Sequence, residues 1–369
     1  MNTDATILVL GAYGLAGRAI VSRLVQKTPY IVLAAGRDRN RLKTVCGALE
    51  SPRIHTQVLD ALAPDDLAAA CRQADFIINA VGPFARNGAA IARTVLEVGK
   101  PYLDCANEQQ HYHRLKKLEA IAVRHNVPLI TAAGAIPGLS TLLVAQFPDS
   151  SRIECCWAQL RHAYPDSGLA SMMGGVLDAL AEPATLISGR FSPVVLGKSS
   201  KTVDLPPPFG RRHCLELPTI DALTLPGRMS FQDYHTWFYL GELPLWLLDV
   251  VRVVQPQRCD WVYRAILALM RRINMRDTEN AIATGIGPEA LLLVTALRGD
   301  RLESRAMMFV DGAAATACLP VYLAHQYLTG RIEQTGPLTP LDLVDPELLE
   351  EITSDIRMDF PFNGSSSLM

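Results

Sequence analysis

Between Ile7 and Val25 the chain passes from a short apolar stretch, through Gly11-Ala12-Tyr13-Gly14-Leu15-Ala16-Gly17, into a helical pattern. Three glycines spaced three apart at a strand-to-helix turn leave few folds open. The first permits a tight turn, the second lets backbone approach a ligand, and the third lets the helix pack closely on its strand. Free N–H groups and the positive end of the helix dipole then face whatever lies at the helix start, which suits a pyrophosphate. The spacing predicts a dinucleotide-binding β-α-β unit with Gly11, Tyr13, Gly14, Leu15 and Gly17 in its phosphate turn.

The second strand sharpens the choice of dinucleotide. Ile31–Ala35 leads into Gly36-Arg37-Asp38-Arg39-Asn40-Arg41. An acidic residue at this strand's end bonds the ribose hydroxyls, whereas an arginine suits a 2′-phosphate. Arg37 holds the first polar position, with Arg39 and Arg41 close behind, so NADPH is favoured over NADH. Asp38, one residue further on, keeps NADH as the lesser alternative.

At 369 residues the chain has room for two domains or one elaborated one. A net charge of −2 leaves no electrostatic footprint for nucleic acid. The eight cysteines form no C-x-x-C and no metal-ligand spacing, and they read as reduced thiols of a cytoplasmic protein. Met1-Asn2-Thr3-Asp4 lacks a basic segment followed by an apolar core, so it is not read as a signal peptide. Leu243–Val254 is apolar, but it is too short to span a bilayer and carries Asp249 and Arg252. It reads as a buried helix, or one lining an apolar pocket, so membrane contact is not expected.

Strands and helices alternate through the first third, the pattern of a parallel sheet covered on both faces. Strands are expected at 7–10, 31–35, 54–58, 75–79, 101–104 and 127–130, with helices near 38–49, 64–73, 88–98 and 107–126. This predicts an α/β, Rossmann-type domain over 1–135. From about residue 150 the strands lengthen and lose regular crossovers, at 152–162, 190–197, 211–217, 290–298 and 303–310. Residues 136–312 are therefore expected to form an α+β domain on a mostly antiparallel sheet, serving substrate binding or dimerisation. Two apolar helices, 243–254 and 258–272, interrupt it. A helix from Asp311 to Leu328 opens a segment, 313–362, expected to pack back on the first domain, and the tail from Asn363 reads as disordered. The exposed sheet or the 243–272 helices offer a surface for a homodimer.

Asn79-Ala80-Val81-Gly82-Pro83-Phe84, Gly88, Tyr102-Leu103-Asp104 and Glu108 resemble the saccharopine dehydrogenase-like family. Gly134-Ala135-Ile136-Pro137-Gly138-Leu139 and the late Gly330…Gly336-Pro337-Leu338 fit the same pattern, so the resemblance runs along nearly the whole chain. It implies a two-domain NAD(P)-dependent oxidoreductase. Members reduce imines to secondary amines or carry out related steps, and a lipid-linked branch includes trans-acting enoyl reductases. The loop after the fourth strand lies where open α/β sheets bind ligands, so Asn79, Val81, Gly82 and Pro83 join Arg37 and the glycine turn as cofactor contacts. One departure stands out. Relatives that handle amino-acid-like imines often carry an acidic residue in the glycine/proline turn, and this chain has Ile136 there. An apolar residue cannot pair with a substrate ammonium, which tilts the expectation toward a greasier substrate.

A reduced double bond needs a proton at its other atom, and the donors near the strand ends are Asp104, Asn107, Glu108, His111 and Tyr112. Asp104, Glu108, His111 and Tyr112 are the expected acid–base residues. Tyr112-x-x-x-Lys116 has the spacing of the short-chain dehydrogenase pair, but position 99, where the partner serine would stand, is Gly99. An exposed helical stripe accounts for it better. His111-x-His113 has the wrong spacing for one metal ion on a helix, and no metal site is expected. Arg161, His162 and Tyr164, with Arg211-Arg212-His213, are further candidates for contacting an anionic group. The expected function is an NADPH-dependent reductase of a polarised enoyl or carbonyl double bond in a largely apolar small molecule. An opine-type imine reductase and a non-catalytic dinucleotide-binding scaffold are the alternatives.

Overall fold

The computed structural model describes residues 4–160, 184–195, 198–239 and 288–358, which divide into two compact units. One unit comprises Met1–Leu139 with Ala313–Thr353, the other Ser140–Gly312 with Ser354–Met369. The expected helices at 243–254 and 258–272, the tail from Asn363, and Arg161, His162 and Tyr164 lie outside the described residues.

The first unit begins with strand β1 (Thr6–Leu10), helix α1 (Leu15–Lys27), β2 (Ile31–Gly36), α2 (Arg39–Gly47) and β3 (Ile54–Val58). It continues with α3 (Pro64–Arg72), β4 (Phe76–Asn79), α4 (Phe84–Glu97), β5 (Tyr102–Asp104), α5 (Gln109–Lys116), α6 (Glu119–His125) and β6 (Pro128–Ile130). Its seven parallel strands run in the order Gly336–Leu338, β6, β5, β4, β1, β2, β3. The chain builds outward from β1 through β2 to β3, then returns to β4 on β1's other side. That reversal is the topological switch point of a Rossmann sheet, where the carboxyl ends of β1 and β4 open a crevice. The sheet is sealed by apolar faces. Gly17, Ile20, Val21 and Leu24 recur on one side of α1 at helical spacing and are all buried.

Two helices depart from the sequence-based expectation. The stretch 107–126 is two helices, not one, because the chain tightens at Leu118, whose amide bonds to Leu115 at 2.8 Å. That turn lets Leu115, Leu118 and Ala122 all reach the same core. Helix α4 starts at Phe84, a turn before the expected Gly88, since the Glu108 carboxylate accepts the Phe84 N–H at 3.1 Å.

The second unit holds a nine-stranded mixed sheet. Its strands are β7 (Arg152–Gln159), β8 (Ala184–Ile187), β9 (Arg190–Pro193), β10 (Ser200–Leu205), β11 (Gly210–Glu216), β12 (Asp233–Tyr239), β13 (Ala290–Arg298) and β14 (Arg301–Phe309). The order is β10, β11, β12, β7, β13, β14, Arg357–Met358, with the β8–β9 hairpin attached to β12. All of its pairings are antiparallel except β12 with β7. Four strands of this sheet escaped the sequence reading: β8, β10, β12 and the two-residue Arg357–Met358. The expected strand at 190–197 stops at Pro193. β8 and β9 are only four residues each and turn at Ser188-Gly189, both at positive φ, so neither gives a clear alternation.

Candidate functional site

The glycines of the first turn are each fixed by contact. Gly11 has φ +75°, and a Cβ there would lie 2.9 Å from the Ala80 carbonyl oxygen and 3.1 Å from Val81. A Cβ on Gly17 would collide with the Gly11 carbonyl oxygen at 2.1 Å. Gly14 differs, since its Cβ would meet only Gly11's oxygen, at 3.2 Å. Its outer side is open. Helix α1 begins at Gly14 with no side-chain cap and no acidic residue in its first turn. The leading amides therefore keep the donors that a pyrophosphate accepts. Gly11, Tyr13, Gly14, Leu15, Val81, Gly82 and Pro83 are all half-buried, which makes one accessible rim from two loops of the sheet. The loops are tied together, with the Ala80 amide donating to Leu10 at 2.9 Å. This is a cradle of the right chemistry for a dinucleotide.

Tyr13 and the basic turn form the rim's other end. The Tyr13 ring lies on the backbone of Gly36, where a Cβ would come within 2.4 Å of ring carbon Cε1. The Arg41 guanidinium sits over that ring, 4.8 Å from its centre. Arg37, Arg39 and Asp38 are exposed, and Asp38 caps α2, its Oδ1 accepting the Asn40 and Arg41 amides at 2.9 and 3.1 Å. The carboxylate that would serve NADH is thus engaged with its own helix.

Behind the rim lies a closed polar network. Asn79 is wholly buried, its carbonyl oxygen accepting the Val81 N–H at 2.9 Å and its amide donating to Tyr102 at 2.9 Å. It acts on the Val81–Pro83 loop through that bond. The Tyr102 hydroxyl donates to Asp104 Oδ2 at 2.8 Å, and His111 Nε2 donates to the same oxygen at 2.6 Å. Thr131 and the Ala106 amide donate to Oδ1 at 2.6 and 3.2 Å. Burial pushes the Asp104 carboxyl upward, but the attraction of His111 and the hydrogen bonds from His111, Thr131 and Tyr102 outweigh it and hold the group below the usual carboxylate range. Asp104 and His111 are both 0% exposed. The His111 ring packs against Phe84 and Gly88, and its Nδ1 is buried without a hydrogen-bond partner.

Of the four residues expected to handle protons, then, the fold brings Asp104 and His111 into direct contact. Glu108 is buried at the loop, accepting the amides of Phe84 and Asn107 at 3.1 Å each. Tyr112 points elsewhere on α5, half-buried beside His113 and Lys116, with the Lys116 ammonium 5.8 Å from its ring centre. Thr131 and Tyr102 were not singled out from sequence. The Thr131 link to Asp104 depends on the β5–β6 register, which no local spacing records, whereas Tyr102 reaches Asp104 from two residues away on the same strand. The glycine/proline turn closes on itself: the Gly134 amide donates to Pro137 at 2.9 Å and the Leu139 amide to Gly134 at 3.0 Å. Gly138, at φ +126°, has no room for a side chain, as a Cβ would lie 2.2 Å from the Gly134 oxygen. Ile136, half-buried, stands within that turn.

Fold and site together define a protein with a Rossmann-type dinucleotide-binding unit and a separate mixed-sheet unit. Residues 7–130, about a third of the chain, match the family model of the saccharopine dehydrogenase NADP binding domain. A lipid droplet localized protein of Caenorhabditis elegans is 27% identical over 138 residues, covering 35% of this chain and 32% of that protein. A probable mitochondrial saccharopine dehydrogenase-like oxidoreductase of Arabidopsis thaliana is 28% identical over 122 residues, 30% of this chain and 27% of that protein. The matched stretch thus spans about a third or less of either relative's length. Among solved structures, apo saccharopine dehydrogenase (L-Glu forming) from Saccharomyces cerevisiae aligns over 96% of this chain and 99% of its own, with TM-score 0.65 and 14% identity. Amine dehydrogenase from Mycobacterium smegmatis aligns over 93% and 96%, with TM-score 0.51 and 12% identity. At these identities the likeness is one of fold. No helix among the described residues is long and apolar enough to cross a membrane.

Proposed function

We propose that this protein is an NADPH-dependent reductase of a polarised double bond, enoyl or carbonyl, in a largely apolar small molecule. The observation that carries the substrate side is Ile136, an apolar side chain in a turn built rigidly from Gly134, Pro137 and Gly138. A substrate ammonium finds no counter-charge at that residue. The cofactor side rests on the open face of Gly14 and on the basic turn that begins with Arg37. Bound NADPH supplies the hydride.

The chain's own residues supply position and a proton. The α1 amides and the Gly11–Gly17 turn hold the pyrophosphate. Asn79 and Glu108 brace the Val81-Gly82-Pro83 loop from behind through the Val81 and Phe84 amides. Asp104 and His111 act as positioning residues, since both are sealed from solvent and bonded to each other. Of the four acid–base candidates Tyr112 alone is part-exposed, and we nominate it as the proton donor. The protein would work in the cytoplasm with a small-molecule substrate, and the exposed sheet offers a homodimer surface.

Purified protein should oxidise NADPH in the presence of an apolar 2-enoyl thioester or long-chain ketone, followed by loss of nicotinamide absorbance. A mixture of an amino acid and a keto acid should give no turnover. Turnover of that mixture alone would instead establish the imine-reductase reading, and NADPH binding without turnover of any substrate class would establish the scaffold.

A further inference from the structure

The basic turn carries three arginines, and their environments differ. Arg37 and Arg39 are exposed, whereas Arg41 is half-buried, with its guanidinium over Tyr13. Its backbone is fixed as well, because its amide bonds to the Asp38 cap at 3.1 Å. The platform exists only because Gly36 lacks a side chain, since the Tyr13 ring fills the place a Cβ would take. Gly36 pairs with Val58 of β3, and the Leu59 amide donates to Gly36 at 2.9 Å. Val58, at the end of that strand, and Leu62, four residues further on, are 47% and 46% exposed, although large apolar side chains favour burial.

We propose that Arg41, seated on Tyr13, is the residue that tells a 2′-phosphorylated dinucleotide from an unphosphorylated one, with Tyr13 as its positioning residue. The inference rests on the reading of this rim as a dinucleotide site. A guanidinium lying over an aromatic ring keeps its second face and its N–H edge free. The face accepts a stacked purine and the edge makes a two-point contact with a phosphate. Because ring and cap already restrict Arg41, less side-chain freedom is lost on binding than for a solvated arginine such as Arg37. Val58, paired with Gly36, supplies apolar surface beside the same strand end for the adenine. Asp38 Oδ1 is engaged with its own helix, which leaves a single carboxylate oxygen for an unmodified ribose.

The test measures equilibrium binding of 2′,5′-ADP and 5′-AMP by calorimetry, on wild type, Arg41→Ala, Arg41→Met, Tyr13→Leu, Arg37→Ala and the Tyr13→Leu/Arg41→Ala double variant. Arg41→Ala should weaken 2′,5′-ADP about 30-fold while changing 5′-AMP by about 3-fold or less, the loss expected of a charged hydrogen-bonding pair. Arg41→Met keeps the stem and should reproduce this selective loss if truncation to alanine disturbs the helix start. Tyr13→Leu should weaken 2′,5′-ADP by about 5-fold, and the double variant should be little worse than Arg41→Ala, since Tyr13 acts through Arg41. Equal losses for both nucleotides in both Arg41 variants would overturn the proposal. So would a selective loss confined to Arg37→Ala, with 2′-phosphate reading then placed on Arg37. Wild-type protein that binds neither nucleotide would overturn the dinucleotide reading itself, and the proposal with it.

Discussion

Asp104 shows how one buried carboxylate can organise a site without touching a ligand. Four donors converge on it, from Tyr102, His111, Thr131 and the Ala106 amide, so its charge is satisfied inside the protein. His111 reaches it only because Gly88 leaves space on α4. A Cβ at Gly88 would lie 2.3 Å from His111 Cε1 and 2.7 Å from Nδ1. Gly88→Ala should therefore expel the ring and cost about 2 kcal/mol in urea denaturation, the scale of an overpacked core. Gly47→Ala is the contrasting case. That glycine ends α2 with nothing within 4 Å of its Cβ, so alanine should stabilise by about 0.5–1 kcal/mol. Equal effects at the two sites would contradict the packing argument. Sequence singled out Asp104, Glu108 and His111 because they cluster at a strand's carboxyl end. What it missed is their role, which depends on Tyr102 two residues away on the same strand and on Thr131 and Gly88 arriving from two other parts of the fold.

The first turn separates two demands that a sequence motif merges. Gly17 is required by the fold, since any Cβ meets backbone at 2.1 Å and neither the helix nor the strand can yield cheaply. Gly14 is under no such packing demand, since its side is open apart from one oxygen at 3.2 Å, and the proposed pyrophosphate would use that space. Gly17→Ala should lower Tm sharply, whereas Gly14→Ala should leave Tm within a few degrees and still weaken NADPH binding at least 10-fold. The pair is read by thermal melts with and without NADPH, and a Gly14→Ala protein that still gains stability from the cofactor would refute the assignment. At the other end of α1, Arg53 does what no local pattern announces. From the start of β3 it donates to the carbonyls of Val25, Thr28 and Tyr30 at 2.6, 2.6 and 3.1 Å, closing the helix end and the turn beyond it. Arg53→Met keeps the stem but strands these acceptors, and should cost about 2–3 kcal/mol by the same urea measurement. The parallel strands were legible as alternating apolar runs with helical crossovers between them. β8 was not, because a four-residue strand carries its signal in the pairing and only weakly in its own residues, and the six- and seven-residue β10 and β12 also went unread.

Across the whole molecule the two units carry buried carboxylates of opposite character. In the first, Asp104 is held below its ordinary range, so its stabilising contribution is present above the unfolded value and disappears as pH falls through the folded one. In the second, Asp221 lies 1% exposed and accepts the Ser140 and Thr141 hydroxyls at 2.7 and 2.5 Å, with Tyr234 at 3.4 Å. Burial pushes its carboxyl from 3.8 up to about 6 against the lowering pull of those hydroxyls. Here the sign reverses. Between these values the folded state binds the proton and the unfolded state does not, so stability from this group is complete in acid and is lost as pH rises through about 6. The difference between its folded and unfolded values corresponds to about 3 kcal/mol. Asp221→Asn mimics the neutral acid in shape and can still bond to hydroxyls free to rotate. The variant's stability relative to wild type should therefore improve by about 2.4 kcal/mol between roughly pH 4 and pH 7, measured by urea denaturation across that range. Other acidic groups, including Glu154 with its Arg152 and Lys201 partners, titrate alike in both proteins and cancel in the comparison. A difference that stays flat across the range would mean that the Asp221 carboxyl is charged in the folded protein throughout, with a cation or water supplying what the three hydroxyls do not.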